Sequence, residues 1–311
     1  MTALAEVATY LPEQRVPIED LAGRLELSPM QVKLFRRYHD LAEVRLAPDG
    51  TVLDLLLAAA GNLAGLRGNE ERVRYVLHAR SFPVVVPFGV NPLHELCRGL
   101  GLGHALAFTV TQHACASGLL AIDVAGRLLA ADPRPDSLAL VLAGEKTFTR
   151  DAQLVPGTSV FGEGAAACLI RTGAGAVRDR LLAYAASLRG DFDDEVATDP
   201  TRYEQEYQGA LGEVIHAALA RAGVDLDGID VILPHNVNAV AWRRLCRRIG
   251  FPVERVVLDN VPVAGHVFCA DAFLNYRTAV ARGLLRPGGR YLVGAAGAGM
   301  GATFSAMVFE H

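Results

Sequence analysis

Segments with the composition of β-strands alternate with segments that have the apolar periodicity of helices along most of this 311-residue chain. Such alternation is typical of α/β proteins, in which helices cover the faces of a sheet. The sequence therefore predicts an α/β layered fold. The clearest predicted strands are 105–111, 137–143, 164–170, 229–233, 255–258, 290–296 and 303–309. The clearest predicted helices are 51–66, 118–131, 204–222, 238–249 and 270–284.

A weak internal repeat indicates two related halves. The segments 113–119 and 266–272 each combine a histidine and a cysteine with the start of a helix, and these helices end in Gly-Arg-Leu-Leu and Arg-Gly-Leu-Leu. A duplicated α/β unit would bring the two helix N-termini close together. The repeat alone is also compatible with chance. We predict halves at 1–172 and 173–311, with the joint in the segment 172–180.

Composition and charge argue against several classes of protein. The net charge of −4 at pH 7 argues against general nucleic-acid binding. The five cysteines are odd in number and include no Cys-x-x-Cys pair, so neither a disulfide framework nor a zinc site is expected. The N-terminus lacks a basic segment followed by an apolar core, and Gly, Pro, Arg or Asp interrupts the richest apolar runs. We therefore expect a cytoplasmic protein with no signal peptide and no membrane-spanning helix.

Cys115 is the strongest candidate for a nucleophile. It follows an apolar β-type run (105–111) and precedes an amphipathic run (119–130), so its thiol would lie at a helix N-terminus. Backbone N–H groups and the helix dipole favour thiolate over thiol at such a position. A thiolate held there is suited to accept an acyl group from a thioester. The alternative is a buried cysteine with a structural role.

Two histidines lie in polar segments with apolar surroundings. His235 follows the predicted strand 229–233, and the carboxyl end of a strand is where α/β folds collect functional groups. It could activate a substrate or hydrogen-bond a thioester oxygen. The alternative is a helix-capping segment. His266 follows Gly265, which permits a tight turn, and could join His235 around one substrate oxygen. Cys269 is a rival nucleophile, although its apolar neighbours favour packing.

Three further segments are rich in small or basic residues. The glycine-rich segment 294–301 lacks the helix and the acidic residue that a dinucleotide-binding loop needs, so we expect it to bring backbone N–H groups close to an oxyanion. The turn 161–164 is expected to serve packing. The arginines within 243–248 form either a solvated helix face or a patch for an acidic carrier or a phosphate.

Taken in order, these motifs resemble those of the β-ketoacyl-acyl carrier protein synthase III family, in the thiolase superfamily. The resemblance spans essentially the whole chain. Six segments carry it: Tyr10-Leu-Pro-Glu, Ala114-Cys115-Ala-Ser-Gly, Phe161-Gly-Glu-Gly-Ala, Pro234-His235-Asn-Val-Asn238, Gly265-His266 and the glycine-rich C-terminal turn. It implies a thiolase-like fold with a duplicated, five-layered α-β-α-β-α architecture, and a homodimer. The half 1–172 would carry the nucleophilic cysteine, and the half 173–311 both histidines.

The resemblance also implies roles for individual residues. Cys115 matches the acylated nucleophile, and His235 matches the histidine that activates the second substrate. Gly299 falls near the position whose backbone N–H joins that of Cys115 in an oxyanion hole. Asn238 matches the asparagine that ends the family's His-Gln-Ala-Asn motif.

The chain departs from the family pattern at the third catalytic position. Where the family has Gly-Asn-Thr-Ser, this chain has Gly265-His266-Val-Phe, so the expected triad is Cys115, His235 and His266. Related elongating ketosynthases use two histidines, which keeps condensation feasible. Synthase III-like proteins with an altered third residue instead transfer the acyl group to oxygen or nitrogen. Asp271 is a candidate additional base.

Other segments bear on the substrates. Arg247 and Arg248 fall where the family has basic residues on a helix implicated in carrier-protein docking. The arginine-rich segment 35–45 differs from the family's acyl-CoA-binding signature, which leaves CoA and acyl carrier protein both open as donors and indicates a secondary-metabolism paralogue. Candidate walls of an acyl pocket are Phe82, Phe88, Phe148 and Phe161. We expect no cofactor and no metal.

Three functions are compatible with these features. The favoured one is a condensing enzyme of fatty acid or polyketide biosynthesis, in which acyl-Cys115 reacts with malonyl-ACP or another malonyl-type thioester with loss of CO2. The second is an acyltransferase that passes the acyl group from Cys115 to a hydroxyl or amine of a small molecule without decarboxylation. The third is a non-catalytic partner in a heterodimer, which is disfavoured because Cys115 and His235 both persist.

Overall fold

A nine-stranded mixed sheet is the centre of the fold, in a computed structural model that describes residues 1–82, 89–173, 178–192, 200–298 and 301–311. Its strand order is β11-β12-β13-β10-β1-β9-β6-β4-β5. These strands are β1 (Thr2–Tyr10), β4 (Val73–Ala79), β5 (Leu106–Val110), β6 (Leu138–Glu145), β9 (Gly164–Thr172), β10 (Arg180–Arg189), β11 (Val231–Pro234), β12 (Arg290–Ala298) and β13 (Ala302–Glu310). Two short pairs lie apart from it: β2 (Arg15–Pro17) with β3 (Glu43–Arg45), and β7 (Leu154–Val155) with β8 (Ser159–Val160).

Several helices begin where the sequence supplies a side-chain cap. Thr51 forms a capping box with Asp54, and the Asn238 side chain accepts a hydrogen bond from Ala241 N at 2.7 Å. The helices are α1 (Pro29–Lys33), α2 (Val52–Gly61), α3 (Pro92–Gly99), α4 (Ser117–Ala131), α5 (Pro200–Ala222), α6 (Ala239–Ile249), α7 (Val261–Ala264) and α8 (Asp271–Ala281). A π-helical turn, Leu34–Tyr38, continues α1, and 3-10 turns precede α4 (Ala114–Ala116) and α8 (Phe268–Ala270).

The strand arrangement occurs twice. In the first group β4 pairs in parallel with β5 and β6, and β6 pairs antiparallel with β9. In the second group β11 pairs in parallel with β12 and bridges in parallel to Val256, while β12 pairs antiparallel with β13. The groups join where β1 meets β10. In chain order α4 precedes β6, and α8 precedes the equivalent strand β12.

The hydrophobic cores separate into layers. α4 and α8 share a central core with strands of both groups, α2 and α3 cover the outer face of the first group, and α5 and α6 cover the outer face of the second. Successive residues of a strand point to opposite faces, so on β6 Val141 lies in the central core and Leu142 in an outer one. These layers confirm the predicted α/β, α-β-α-β-α architecture.

Several predicted elements are wrong or incomplete. The segment 255–258 is not a strand, because at the sheet edge it makes only the bridge between Val256 and Ile232. The predicted helix 51–66 stops at Gly61, since Gly and Asn are poor helix formers and Leu63 turns into the core. Strands β1, β4 and β10 were not among the predicted elements.

Within the described residues, one helical stretch, Ala114–Ala131, is long and apolar enough to cross a membrane. Its charged residues Asp123 and Arg127 lie one turn apart and pair at 2.7 Å. Because 56% of the stretch is buried inside the protein, it has the character of a core helix.

Candidate active site

Cys115 lies on a tight strand-to-helix connection. The turn Ala114–Ala116 follows β5 and leads into α4, and Ala114 has a φ of +44°, which residues other than glycine seldom adopt. The Ser117 side chain accepts a hydrogen bond from His113 N at 3.2 Å and closes the turn. The predicted position of the thiol at a helix N-terminus is confirmed.

Strand β12 passes directly beside this turn. A Cβ atom on Gly297 would lie 2.4 Å from His113 O and 2.9 Å from Cys115 N, so only glycine fits. The glycine-rich segment therefore brings a second backbone segment against Cys115. Gly299, the candidate oxyanion-hole residue, lies outside the described residues.

Two other side chains contact the Cys115 region. Ser81 Oγ donates a hydrogen bond to Cys115 Sγ at 3.2 Å and lies 3.8 Å from Cys269 Sγ. Cys269 donates to Ala114 O at 3.3 Å, and burial raises the pKa of its thiol well above the usual range. Cys269 therefore remains a protonated packing residue, whereas Cys115 is only half-buried.

His266 and Asp271 form a buried pair beside Cys115. His266 Nδ1 donates to Asp271 Oδ2 at 2.5 Å, and the two residues are 3% and 1% exposed. Burial alone would lower the pKa of His266, but the Asp271 carboxylate and the nearby Cys115 sulfur outweigh it and raise this pKa to about 10. An imidazolium at neutral pH therefore faces the Cys115 side chain.

Asp271 is held by two further donors. Val267 N donates to its Oδ1 at 2.6 Å, and Asn236 N donates to its Oδ2 at 2.6 Å. These bonds fix the carboxylate behind the imidazole. The polar segment after β11 thus contributes to the His266–Asp271 pair as well as supplying His235.

The turn 161–164 also positions His266. Gly162 N donates to His266 O at 3.0 Å, and the Phe161 ring stacks on the imidazole with centroids 4.4 Å apart. A Cβ on Gly162 would lie 2.2 Å from Ala264 O, and Gly265 has a φ of +66°. Both glycines are therefore needed for this close approach, and the turn does more than pack.

His235 lies near His266 but has a different environment. The two rings are 5.8 Å apart, and His235 Nε2 is 2.8 Å from the Tyr207 hydroxyl of α5. Its backbone carbonyl accepts from Trp242 Nε1 at 2.8 Å. Burial and the charge of His266 lower the pKa of His235 to about 3, so its imidazole is neutral.

Other predicted site residues lie on α6 and at its N-cap. Asn238 caps α6 and donates to Thr158 O at 3.0 Å, which is a structural arrangement. Arg247 and Arg248 are exposed on α6. Arg247 also lines a surface cavity of about 530 Å³ next to Phe251.

Three of the four predicted pocket walls form one aromatic cluster. The Phe268 ring lies 4.4 Å from that of Phe161 and 5.7 Å from that of Phe82, and Phe82 in turn lies 6.3 Å from Phe148. Phe88 lies outside the described residues. Because Phe161 also stacks on His266, this cluster borders the site.

Sequence reasoning missed two residues of the site. Tyr207 lies within a helix that was predicted, but no local motif distinguishes its hydroxyl from that of a surface tyrosine. Ser81 follows β4, a strand that was not predicted. Recognition of that strand would have pointed to Ser81, because functional groups collect at the carboxyl ends of parallel strands.

Comparison with known proteins agrees with this fold and motif order. Residues 219–311 match the family model for the C-terminal part of 3-oxoacyl-[acyl-carrier-protein] synthase III. The β-ketoacyl-[acyl-carrier-protein] synthase III of Paracoccus denitrificans (strain Pd 1222) is 30% identical over 317 residues, which cover 94% of each chain.

Two solved structures share the fold over nearly the full length. The 3-oxoacyl-[acyl-carrier-protein] synthase III of Aquifex aeolicus VF5 has a TM-score of 0.83 at 19% identity and covers 100% of both chains. The acyltransferase ChlB3 has a TM-score of 0.85 at 23% identity and covers 99% of this chain and 97% of its own. The chain therefore belongs to the β-ketoacyl-acyl carrier protein synthase III family of the thiolase superfamily.

Proposed function

We propose that this protein is an acyltransferase that takes an acyl group from a CoA or acyl carrier protein thioester onto Cys115 and passes it to a hydroxyl or amine of a small molecule. The 2.5 Å bond between His266 and Asp271, beside Cys115, carries the proposal. Cys115 then provides the nucleophile, His266 the base, and Asp271 the carboxylate that orients the base. This reverses the preference for condensation that the sequence alone favoured.

In the first step, the Cys115 thiolate attacks the donor thioester carbonyl. The tetrahedral intermediate collapses, the C–S bond of the donor breaks, and the departing thiolate takes a proton from His266. Acyl-Cys115 and a neutral His266 remain. Asp271 holds the imidazole in one orientation throughout.

In the second step, neutral His266 removes a proton from the acceptor hydroxyl or amine as that group attacks acyl-Cys115. The Cys115 thiolate leaves, and the thiolate and imidazolium are restored. No CO2 is formed. The negative charge of the Asp271 carboxylate stabilises the imidazolium that forms on His266 during the attack.

Decarboxylative condensation with a malonyl-type thioester is the second candidate. The 30% identity to a β-ketoacyl-[acyl-carrier-protein] synthase III over 94% of the chain favours it. In that reaction His235 and His266 would both stabilise an enolate oxygen. The two reactions share acyl-Cys115 and differ in the release of CO2.

The proposal extends to the two halves of the chain, to carrier-protein docking and to assembly. The repeated strand order supports two halves, 1–172 with Cys115 and 173–311 with both histidines. Exposure of Arg247 and Arg248 supports docking of an acidic carrier protein on α6. A cytoplasmic homodimer is the assembly that family membership favours.

The test compares His266→Ala with His235→Ala. On pre-acylated enzyme supplied with a panel of amines and alcohols, His266→Ala should slow acyl transfer by about 100-fold or more, as expected for loss of a general base. His235→Ala should retain transfer. CO2 is measured in parallel with malonyl-ACP as the second substrate. Release of one CO2 per product by the wild-type protein, abolished in His235→Ala, would establish condensation instead.

A further inference from the structure

Tyr207 hydrogen-bonds to His235, one of the two histidines that the condensation candidate would use. Its hydroxyl lies 2.8 Å from His235 Nε2, and Tyr207 and His235 are 7% and 2% exposed. The Tyr207 ring is fixed by Tyr203 at 5.7 Å and Phe304 at 5.9 Å. The contact is therefore a buried, rigid feature of the site.

The hydrogen-bonding capacity of His235 is limited. Burial lowers the pKa of His235 to about 3 and raises the pKa of Tyr207 well above its usual range, so the imidazole is neutral and the phenol keeps its proton. A neutral imidazole has one donor and one acceptor. Whether Nε2 accepts from Tyr207 or donates to it, that nitrogen is not free for a substrate oxygen.

The other ring nitrogen of His235, Nδ1, has a different environment. Among the described residues, His235 Nδ1 makes no hydrogen bond of normal geometry. Within the part of the chain that the structure describes, the Tyr207 hydroxyl is therefore the side-chain group that occupies the hydrogen-bonding capacity of the imidazole, at Nε2.

We propose that Tyr207 is a specificity-determining residue that withdraws His235 from a malonyl thioester and so keeps acyl-Cys115 from condensation. The inference rests on the proposed acyltransferase function. His266, which pairs with Asp271 and not with Tyr207, remains free to act as base in acyl transfer.

Removal of the hydroxyl restores the chemistry that it suppresses. In Tyr207→Phe, His235 Nε2–H can donate to the carbonyl oxygen of a bound malonyl thioester. The bond to the carboxylate then breaks, CO2 leaves, and its electron pair forms an enolate stabilised by that donor. The enolate carbon attacks acyl-Cys115, and the Cys115 thiolate departs.

The experiment measures CO2 released from malonyl-ACP by pre-acylated protein. Tyr207→Phe should release CO2 about 10-fold faster or more than the wild-type protein, within the range that one oxyanion donor contributes. The double variant Tyr207→Phe/His235→Ala should return to the wild-type level. Tyr203→Phe, which removes another hydroxyl from α5, should not raise CO2 release. Acylation of Cys115, followed by intact mass, shows that each variant folds.

Three results would overturn the inference. They are unchanged CO2 release in Tyr207→Phe with normal acylation, a gain that persists in the double variant, and loss of acylation in Tyr207→Phe. The last counts because a residue that only withdraws His235 is not needed for acylation. If the wild-type protein instead releases CO2 with every product, the acyltransferase proposal itself fails. If the wild-type protein and Tyr207→Phe both transfer the acyl group without CO2 release, only the role of Tyr207 fails.

Discussion

At the scale of single residues, two cysteines follow the same unusual backbone. Ala114 and Phe268 have φ angles of +44° and +50°, and each directly precedes a cysteine in a 3-10 turn that leads into a helix. Only Cys115 is half-buried, and it lies beside the imidazole of His266; Cys269 is buried and donates to a carbonyl. The surroundings, and not the backbone, distinguish the proposed nucleophile Cys115 from the packing residue Cys269.

Asp271→Asn tests the charge that faces His266. The variant keeps the size of the side chain but removes its negative charge, so the pKa of His266 should fall from about 10 and the imidazole should lose its proton at a lower pH. Acyl transfer should slow by about 100-fold or more because the base is no longer oriented and stabilised. Titration of labelled histidine by NMR and single-turnover transfer measure the two effects.

The matched control is Asp259→Asn, which removes a carboxylate paired with Arg282 at 2.7 Å on the surface. It should leave both measurements unchanged. If Asp271→Asn keeps the wild-type titration of His266, the assignment of Asp271 as the orienting carboxylate is wrong.

At the scale of elements, the sequence predicted the strand-to-helix connection at Cys115 and most of the helices. Alternating apolar residues and caps act locally, so they are visible without the fold. β1, β4 and β10 were missed, and with them Ser81. The contact of Tyr207 with His235 joins residues 28 positions apart on a helix and a strand end, which no local pattern encodes.

Gly297→Ala tests the approach of β12 to the nucleophile turn. Its Cβ would lie 2.4 Å from His113 O and 2.9 Å from Cys115 N, so the turn must shift. We expect acylation of Cys115 to slow by about 10-fold or more, since small misplacements of a nucleophile cost rate steeply. Gly61→Ala, where a Cβ meets nothing within 4 Å, is the control. Equal acylation rates in the two variants would contradict the account.

At the scale of the whole molecule, three buried histidines shape stability against pH. The pKa values of His78 and His235 are lowered to about 3 by burial, so the unfolded chain binds more protons between pH 3 and 6.5 and stability rises with pH there. The pKa of His266 is raised to about 10, so the folded chain binds more protons between pH 6.5 and 10 and stability falls there.

The free energy of unfolding should therefore be greatest near pH 6.5, the ordinary pKa of histidine. Urea unfolding at a series of pH values measures it. In Asp271→Asn the decline between pH 6.5 and 10 should be shallower, because the folded-state pKa of His266 is lower. An alkaline decline identical to that of the wild-type protein would show that His266 is not the group responsible.

Intact-mass spectrometry after exposure to a panel of acyl-CoA and acyl carrier protein thioesters tests the central claim most directly. The account predicts a gain of one acyl group on the peptide that contains Cys115, in the wild-type protein and in Cys269→Ala but not in Cys115→Ala. Addition of an amine or alcohol acceptor should then remove that mass without release of CO2. Acylation that persists in Cys115→Ala, or no acylation with any donor, would contradict the account.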